Sequence, residues 1–293
     1  IPKVPERLTV VGGGYIGLEL GSVYAGLGSE VTLVHSRPNL LKTADDDLVA
    51  VMLKTAASKF KEIYRSNRAS TIEYVNGRYH LTLEQGERLE SDEVLLSIGR
   101  VPKSEGLGLE NTGVELDGQG LIAVDEQCRS SQSSIFAIGD VVPGPQLAHK
   151  ASREGKVAAE VIAGMASAFD NRAVPAVVFT DPEIAWVGLT EKQAEEEGQK
   201  VSIGRFPLKA LGRARTMGRE DGLVKIIYQA ESKLVLGAGI VGPDASDLIS
   251  EATLAIEMGA VLEDMMVTIH PHPTLSEAVQ EAAEVSAGVA IHV

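Results

Sequence analysis

The chain has 293 residues, 44% hydrophobic and 23% charged, with a net charge of −14, enough for about two globular domains of ~100–200 residues. The acidic balance argues against nucleic acid as a partner, which requires Lys and Arg on phosphates, and no stretch reaches the roughly 20 apolar residues of a membrane span. A single cysteine, Cys128 in "DEQCRSS", excludes an intrachain disulfide and suits a reducing, cytoplasmic compartment.

The opening "IPKVPERLTVV" has no signal-peptide layout, because its short apolar run leads straight into a glycine turn. "RLTVV" is predicted as a buried strand and "GGGYIG" as the turn into a helix that Gly28 ends. "SEVTLVH" is a second strand. Strand, glycine turn, helix and strand within about 30 residues make a right-handed βαβ unit. A second helix is expected over residues 45–60. Three alternating runs then follow, "STIEYV", "RYHLTLE" and "RLES", joined by Asn76-Gly77 and Gln85-Gly86. Asn-Gly between alternating runs is a strong hairpin signal, so a β-meander interrupts the doubly wound sheet before its last strand, "EVLLSIG". "SIFAIGD" reads as another buried strand ending at Asp140, with a helix from about 147 to 164 beyond the prolines. The last third differs: five short strands, "AVVFT" to "KLVLGAGIVG", with helices after Thr190, Asp244 and Thr274, which indicate an α+β layer.

Gly12-x-Gly14-x-x-Gly17, set between a strand and a helix, carries the chemistry of dinucleotide binding. Gly12 permits the turn, Gly14 lets backbone approach a pyrophosphate, and Gly17 lets helix and strand close up. The helix N-terminus then presents free N–H groups to the phosphates. After the second strand an acid would bind the ribose 2′-hydroxyl of NAD, whereas cations accommodate the NADP 2′-phosphate. Here His35, Ser36 and Arg37 follow, the acid is missing, and on residues alone the preference stays open. Asp140 is read either as a carboxylate for a ribityl or ribose hydroxyl or as a turn residue.

The tail "IHPHPTLSEAVQEAAE" has three readings. His270 and His272, at strand spacing, could ligate a metal, although no third ligand is apparent. Thr274-Leu275-Ser276-Glu277 fits a capping box, with Thr274 as N-cap and Glu277 reaching back. Alternatively, His272 is a general base oriented by Glu277, whose carboxylate fixes the tautomer and frees the other nitrogen to take a proton. The residues alone do not choose between cap and catalyst.

"GGGYIGLELG", "SIGRVP", "IFAIGD", "LAHKASREG", "FTDPEIAWVGLTE" and "HPHPTLSEAVQEAAE", in this order, resemble the dihydrolipoamide dehydrogenases, flavin-dependent pyridine nucleotide–disulfide oxidoreductases. The resemblance covers essentially the whole chain and implies an α/β protein of three parts. These are a Rossmann-like NAD-binding domain with an inserted β-meander (residues 1–101), a partial FAD-domain segment (102–173) and a C-terminal α+β dimerisation domain (174–293). It implies FAD and NAD as cofactors, a homodimer, lipoyl domains of 2-oxo acid dehydrogenase complexes as partners, and neither nucleic acid nor membrane. Gly12, Gly13, Gly14, Tyr15, Ile16, Gly17 and Glu19 would hold the nicotinamide dinucleotide beside a flavin, with His35 at the ribose and Gly99 also at the nicotinamide cofactor. Asp140, Gln146, Leu147, Ala148 and His149 would line the FAD, and no resident metal is implied. His272 and Glu277 would form the acid–base pair that deprotonates dihydrolipoamide, serving the partner subunit's disulfide.

Two departures accompany the matches. The family begins with a further nucleotide-binding region bearing a redox Cys-x4-Cys, so these 293 residues are expected to stand for the C-terminal two-thirds of such an enzyme and to be inactive alone with lipoamide. The acid expected at position 35 is a histidine, although the resemblance favours NAD. Two alternatives are retained: another NAD(P)H-dependent flavin disulfide reductase or transhydrogenase, and a non-catalytic NAD(P)-binding dimerisation module.

Overall fold

A computed structural model describes residues 3–56 and 58–293. By their contacts residues 1–99 and 175–293 make one unit and residues 100–174 another. Among the described residues no helix is long and apolar enough to cross a membrane.

The first unit begins with β1 (Arg7–Val11), α1 (Tyr15–Gly26) and β2 (Glu30–Val34), the expected βαβ unit. Leu8, Val10, Val31 and Leu33 are buried, as strands covered on both faces require. Helix α2 (Asp46–Ala56) is shorter than the predicted 45–60, and Ala57 lies outside the described residues. Just beyond it comes β3 (Glu62–Tyr64), a three-residue strand that the sequence pattern does not reveal. The meander β4 (Ala69–Val75), β5 (Arg78–Leu83) and β6 (Arg88–Ser91) is antiparallel. Asn76 and Gly77 turn its first hairpin, both at positive φ (52° and 82°). Strand β7 (Glu93–Leu96) then returns to complete a four-stranded parallel sheet, ordered β3-β2-β1-β7.

In the second unit, "SIFAIGD" does not form the predicted strand. Phe136 makes one isolated bridge to Arg129, and Gly139–Val141 is a 3-10 turn. A strand exists only with a neighbouring strand to take its hydrogen bonds, and this segment has no sheet to join. Asp140 therefore sits in a turn rather than at a strand end. Helix α3 (Ala148–Ile162) follows, buried along Val157 and Ala158.

The remainder of the first unit is a five-stranded antiparallel sheet ordered β10-β11-β12-β9-β8. In chain order it comprises β8 (Ala176–Val178), β9 (Glu183–Gly188), α4 (Glu191–Glu196), β10 (Val201–Pro207), α5 (Gly212–Thr216), β11 (Leu223–Gln229) and β12 (Val235–Gly242). Helix α6 (Ala245–Met258) packs on β9 and β12, and α8 (Glu277–Ala287) on β10 and β11, with the short α7 (Leu262–Val267) between them. On α6 Ile249, Ala252 and Ile256 are buried, while Leu254 and Met258 stay exposed. Leu248 and Ala255 on the same helix are only half-buried. The core around β1 and β2 extends through Leu48 and Met52 to Val178, Ile184 and Val241. The two sequence segments of this unit thus share one apolar interior.

Candidate functional site

The glycine turn has the shape that its spacing predicts. Gly12 has φ of 117°, and a Cβ on it would lie 2.3 Å from the Ser97 carbonyl oxygen. A Cβ on Gly17 would lie 2.0 Å from the Gly12 oxygen. Both positions therefore exclude a side chain. Ser97 locks the turn from below, donating its hydroxyl to the Gly12 oxygen at 3.0 Å. Gly14 is different: nothing lies within 4 Å of where its Cβ would be. It is the N-cap of α1 and provides no side-chain cap. The first helical hydrogen bond runs from Leu18 N–H to the Gly14 oxygen, so the amides of Tyr15, Ile16 and Gly17 begin the helix without helical acceptors. Open space beside Gly14 at a helix N-terminus fits a pyrophosphate. Tyr15 is exposed at this mouth, and Glu19, one turn on, accepts the Phe179 N–H at 2.8 Å. Gly99 is exposed, with φ of 140°.

His35 is not free at the ribose end. Its Nδ1 accepts the Gly13 N–H at 3.1 Å, and its Nε2 faces the Asn39 oxygen at 3.1 Å. An amide N–H can only donate and a carbonyl can only accept, so the ring is neutral with its proton on Nε2. Partial burial, reinforced by the charge of Arg37 and only partly opposed by the Asn39 bond, lowers its pKa.

In the second unit, Asp140 accepts from Arg100 Nη1 at 2.9 Å, and Arg100 Nη2 donates to the Gln146 oxygen at 2.8 Å. One guanidinium thus holds both ends of the 140–146 turn. Leu147 caps α3 without a side-chain bond, and Ala148 and His149 are exposed in its first turn. The first helical bond is Ala151 N–H to the Leu147 oxygen. A helix N-terminus of this kind favours an anionic ring or phosphate. Arg100 was missed in the sequence, although it adjoins Gly99 in "SIGR"; its partners lie 40 and 46 residues away.

In the tail the two histidines part company. The His270 side chain is only 5% exposed. Its Nδ1 lies 2.9 Å from the Thr268 oxygen and its Nε2 2.7 Å from Glu251 Oε1 on α6. Both nitrogens are engaged, and among the described residues neither His270 nor His272 belongs to a group of three potential metal ligands. The metal reading has no support in this geometry. His272 is 74% exposed, and its Nδ1 lies 2.8 Å from Glu277 Oε1. Glu277 Oε2 accepts the Thr274 N–H at 2.8 Å. The one carboxylate therefore both holds the His272 ring and reaches back to the Thr274 N–H. Only half of the capping box forms: the Thr274 hydroxyl donates to the Pro271 oxygen and meets Ser276 Oγ, and the regular helix starts at Glu277. Partial burial pushes the Glu277 carboxyl up. The Thr274 N–H, the His272 ring and the charge of His292 outweigh it and hold the group below its usual range. With Nδ1–H donated to a carboxylate, Nε2 keeps its lone pair and has no bond to any described residue. Such a ring can take a proton from outside.

Residues 1–155 match the pyridine nucleotide-disulphide oxidoreductase family, and residues 174–283 match that family's dimerisation domain. The chain belongs to this family. It is 47% identical over 294 residues to a dihydrolipoyl dehydrogenase of Geobacillus stearothermophilus, covering 99% of this chain and 63% of that protein. A dihydrolipoyl dehydrogenase of Haloferax volcanii is 48% identical, with 99% and 62% covered. Among solved structures, LpdA of Mycobacterium tuberculosis superposes with a TM-score of 0.90 at 30% identity, covering 97% of this chain and 62% of LpdA. The HOCl-induced flavoprotein disulfide reductase RclA of Escherichia coli gives 0.89 at 27% identity, covering 97% and 66%. The chain thus spans somewhat less than two thirds of these curated relatives' length.

Within the family frame, further polar residues escaped the sequence reading. Glu281, one turn beyond Glu277, closely pairs with His292 Nδ1. Its Oε2 is buried without a hydrogen-bond partner among the described residues. The Glu277–Glu281 spacing was the available signal, since residues four apart share a helix face. Cys128, the lone thiol, is buried, and burial together with the Glu154 and Asp125 charges pushes its pKa up. It is unsuited to thiolate chemistry.

Proposed function

We propose that these residues form part of a dihydrolipoamide dehydrogenase, a homodimer oxidising a dithiol with FAD and a nicotinamide dinucleotide. The observation carrying the reading is the His272–Glu277 pair: a 2.8 Å bond behind an imidazole that is 74% exposed. Dihydrolipoyl dehydrogenase names among the relatives at 43–48% identity and the dimerisation-domain match support it.

Thiolates, not thiols, attack disulfides, so the substrate dithiol must first lose a proton. His272 Nε2 is placed to accept it. Glu277, fixed by Thr274, keeps the Nδ1 proton in place and stabilises the imidazolium once formed. A disulfide needs two cysteines and this sequence has one, buried, so in this reading the redox disulfide is supplied from outside these residues. The exposure of His272 suits a base that works on a neighbouring subunit's substrate. The Gly14 opening at α1 holds the dinucleotide pyrophosphate, and the N-terminus of α3, with Asp140 and the Arg100-clamped turn, holds the flavin side. When bound, FAD and the dinucleotide supply the electron and hydride transfer that side chains cannot. LpdA and RclA match in fold, and the RclA name records a flavoprotein disulfide reductase. We place the dimer in a reducing cytoplasm, with lipoyl-bearing proteins as its source of dithiol.

The test is His272→Gln in the dimer carrying flavin and disulfide. Dihydrolipoamide turnover should fall by ~10²–10⁴, while electron transfer from reduced dinucleotide through flavin to ferricyanide stays unchanged. Undiminished dithiol turnover would remove His272 from the reaction.

A further inference from the structure

The end of β2 decides which dinucleotide the glycine turn takes. A 2′-hydroxyl is selected by a carboxylate there, because it accepts the hydroxyl proton and repels a 2′-phosphate. A phosphate needs that carboxylate gone and a cation nearby. In this chain the position is His35, and its ring is spent internally. Nδ1 holds the Gly13 amide and Nε2–H is directed to the Asn39 oxygen, each at 3.1 Å. It offers a ribose hydroxyl neither donor nor acceptor. The acids nearest in the hydrogen-bond network are also engaged: Asp46 by the Asn39 amide at 3.1 and 3.2 Å, and Glu87 by the Asn67 amide at 3.0 Å.

Around this corner, where position 35 itself carries no carboxylate, stand exposed guanidinium groups. Arg37 lies two residues past His35, exposed and close enough to lower its basicity. The loop after β3 docks on the same backbone, Ser66 N–H bonding to the Arg37 oxygen at 3.1 Å and Asn67 N–H to the His35 oxygen at 3.0 Å. It carries Arg65 and Arg68, both exposed. Elsewhere in the first unit Arg7, Arg78, Arg205 and Arg219 are tied to carboxylates. Arg37, Arg65 and Arg68 form no ion pair with any described residue. Fork-shaped donors not committed to a carboxylate suit a dianionic phosphate.

Resting on the dinucleotide reading above, we infer that the site takes the 2′-phosphorylated dinucleotide, NADP(H), in preference to NAD(H), with Arg37 as the main specificity-determining cation. The neutral His35 acts beneath it as a brace for the glycine turn, through the Gly13 N–H bond to its Nδ1.

Titration calorimetry of the 293-residue chain with NADPH and with NADH tests this. NADPH should bind roughly 10- to 100-fold tighter, the range of one or two charge-assisted hydrogen bonds, and its advantage should shrink as salt is raised. Arg37→Gln, an exposed change that leaves folding intact, should bring the two affinities to within a few-fold. NADH binding as tightly as NADPH, or tighter, overturns the inference and leaves the dinucleotide site standing. If neither binds, the dinucleotide reading falls as well. A preference for NADPH that survives Arg37→Gln but is lost on Arg65→Gln or Arg68→Gln overturns the assignment to Arg37.

Discussion

Lys225 is the most deeply buried charge in the first unit, and replacing it by Met gives a quantitative test of what joins residues 1–99 to 175–293. Its side chain is 1% exposed, and Nζ lies 2.6 Å from Asp45, 2.8 Å from Asp47 and 2.6 Å from Glu191. Burial by itself would lower its pKa, but the three carboxylates outweigh that and raise it. Met keeps the apolar stem and removes the charge. The ligand oxygens of the three acids lie within 4.8 Å of one another. Two unit charges at about 5 Å repel by roughly 3–4 kcal/mol at an effective dielectric near 20. Arg205 remains bonded to Asp47 and Glu191, and these two acids are about 30% exposed, so only part of that repulsion is felt. The result should be close to the usual cost of orphaning a buried ion, about 3–5 kcal/mol at pH 7.

The sign of the pH dependence sharpens the test. Burial raises the Asp47 carboxyl, but Lys225 and Arg205 outweigh it and depress its pKa. A depressed carboxylate contributes stability above its unfolded pKa and loses it as pH falls through the folded value. The variant lacks most of that contribution, and its crowded acids gain by taking protons, so the deficit should shrink on acidification. Urea unfolding of wild type and Lys225→Met at pH 7 and below the ordinary aspartate range, near pH 3, reads both numbers. A deficit below about 1 kcal/mol, or one that is the same at both pH values, would refute the account of Lys225 as the ion holding three acids together.

Two further outcomes follow from the glycine turn and the tail. Gly14→Ala, with φ of −82° and nothing within 4 Å of the new Cβ, should leave the urea midpoint unchanged yet weaken NADPH binding measured by calorimetry. Gly17→Ala, whose Cβ would lie 2.0 Å from the Gly12 oxygen, should lower both. His292 has its pKa raised by the Glu281 hydrogen bond and charge. A raised folded pKa means that the clamp on residues 288–293 is fully present below the ordinary histidine range and is lost as pH rises through the shifted value. Hydrogen exchange of that segment should therefore accelerate, beyond the intrinsic rate, between neutral and alkaline pH in the wild type and show no such step in His292→Gln.

Local chemistry was legible where neighbours in sequence decide it. The helix expected after Thr190 starts there, capped by Thr190 and Gln193. The Asn76-Gly77 hairpin and the strand Leu223–Gln229 fell where alternation and turn residues put them. What failed depended on partners far away. "SIFAIGD" has the composition of a buried strand and finds no sheet. Glu62–Tyr64 is too short to show periodicity and becomes a strand because β2 lies beside it. The Lys225 cluster joins residues 34 and 178 positions apart, and no spacing rule reaches that far. At the candidate site, the residue types at positions 12–17, 272 and 277 were readable, whereas the bonds that decide their roles were not.

Those bonds separate three histidines that look alike in sequence. His35 and His270 each have both ring nitrogens engaged by the protein, and a ring so satisfied is structural: moving its proton would break a bond that the fold is using. His272 has one nitrogen fixed by Glu277 and the other open to solvent. His270 supports this arrangement, because its contacts with Thr268 and Glu251 tie the chain to α6 two residues before the exposed ring. Buried polar atoms are costly to leave unpaired, so a protein saturates them wherever it can. An imidazole held on one side and left open on the other can accept a partner's proton without breaking any bond of its own, and the role we propose for Nε2 of His272 rests on that asymmetry rather than on the presence of histidine.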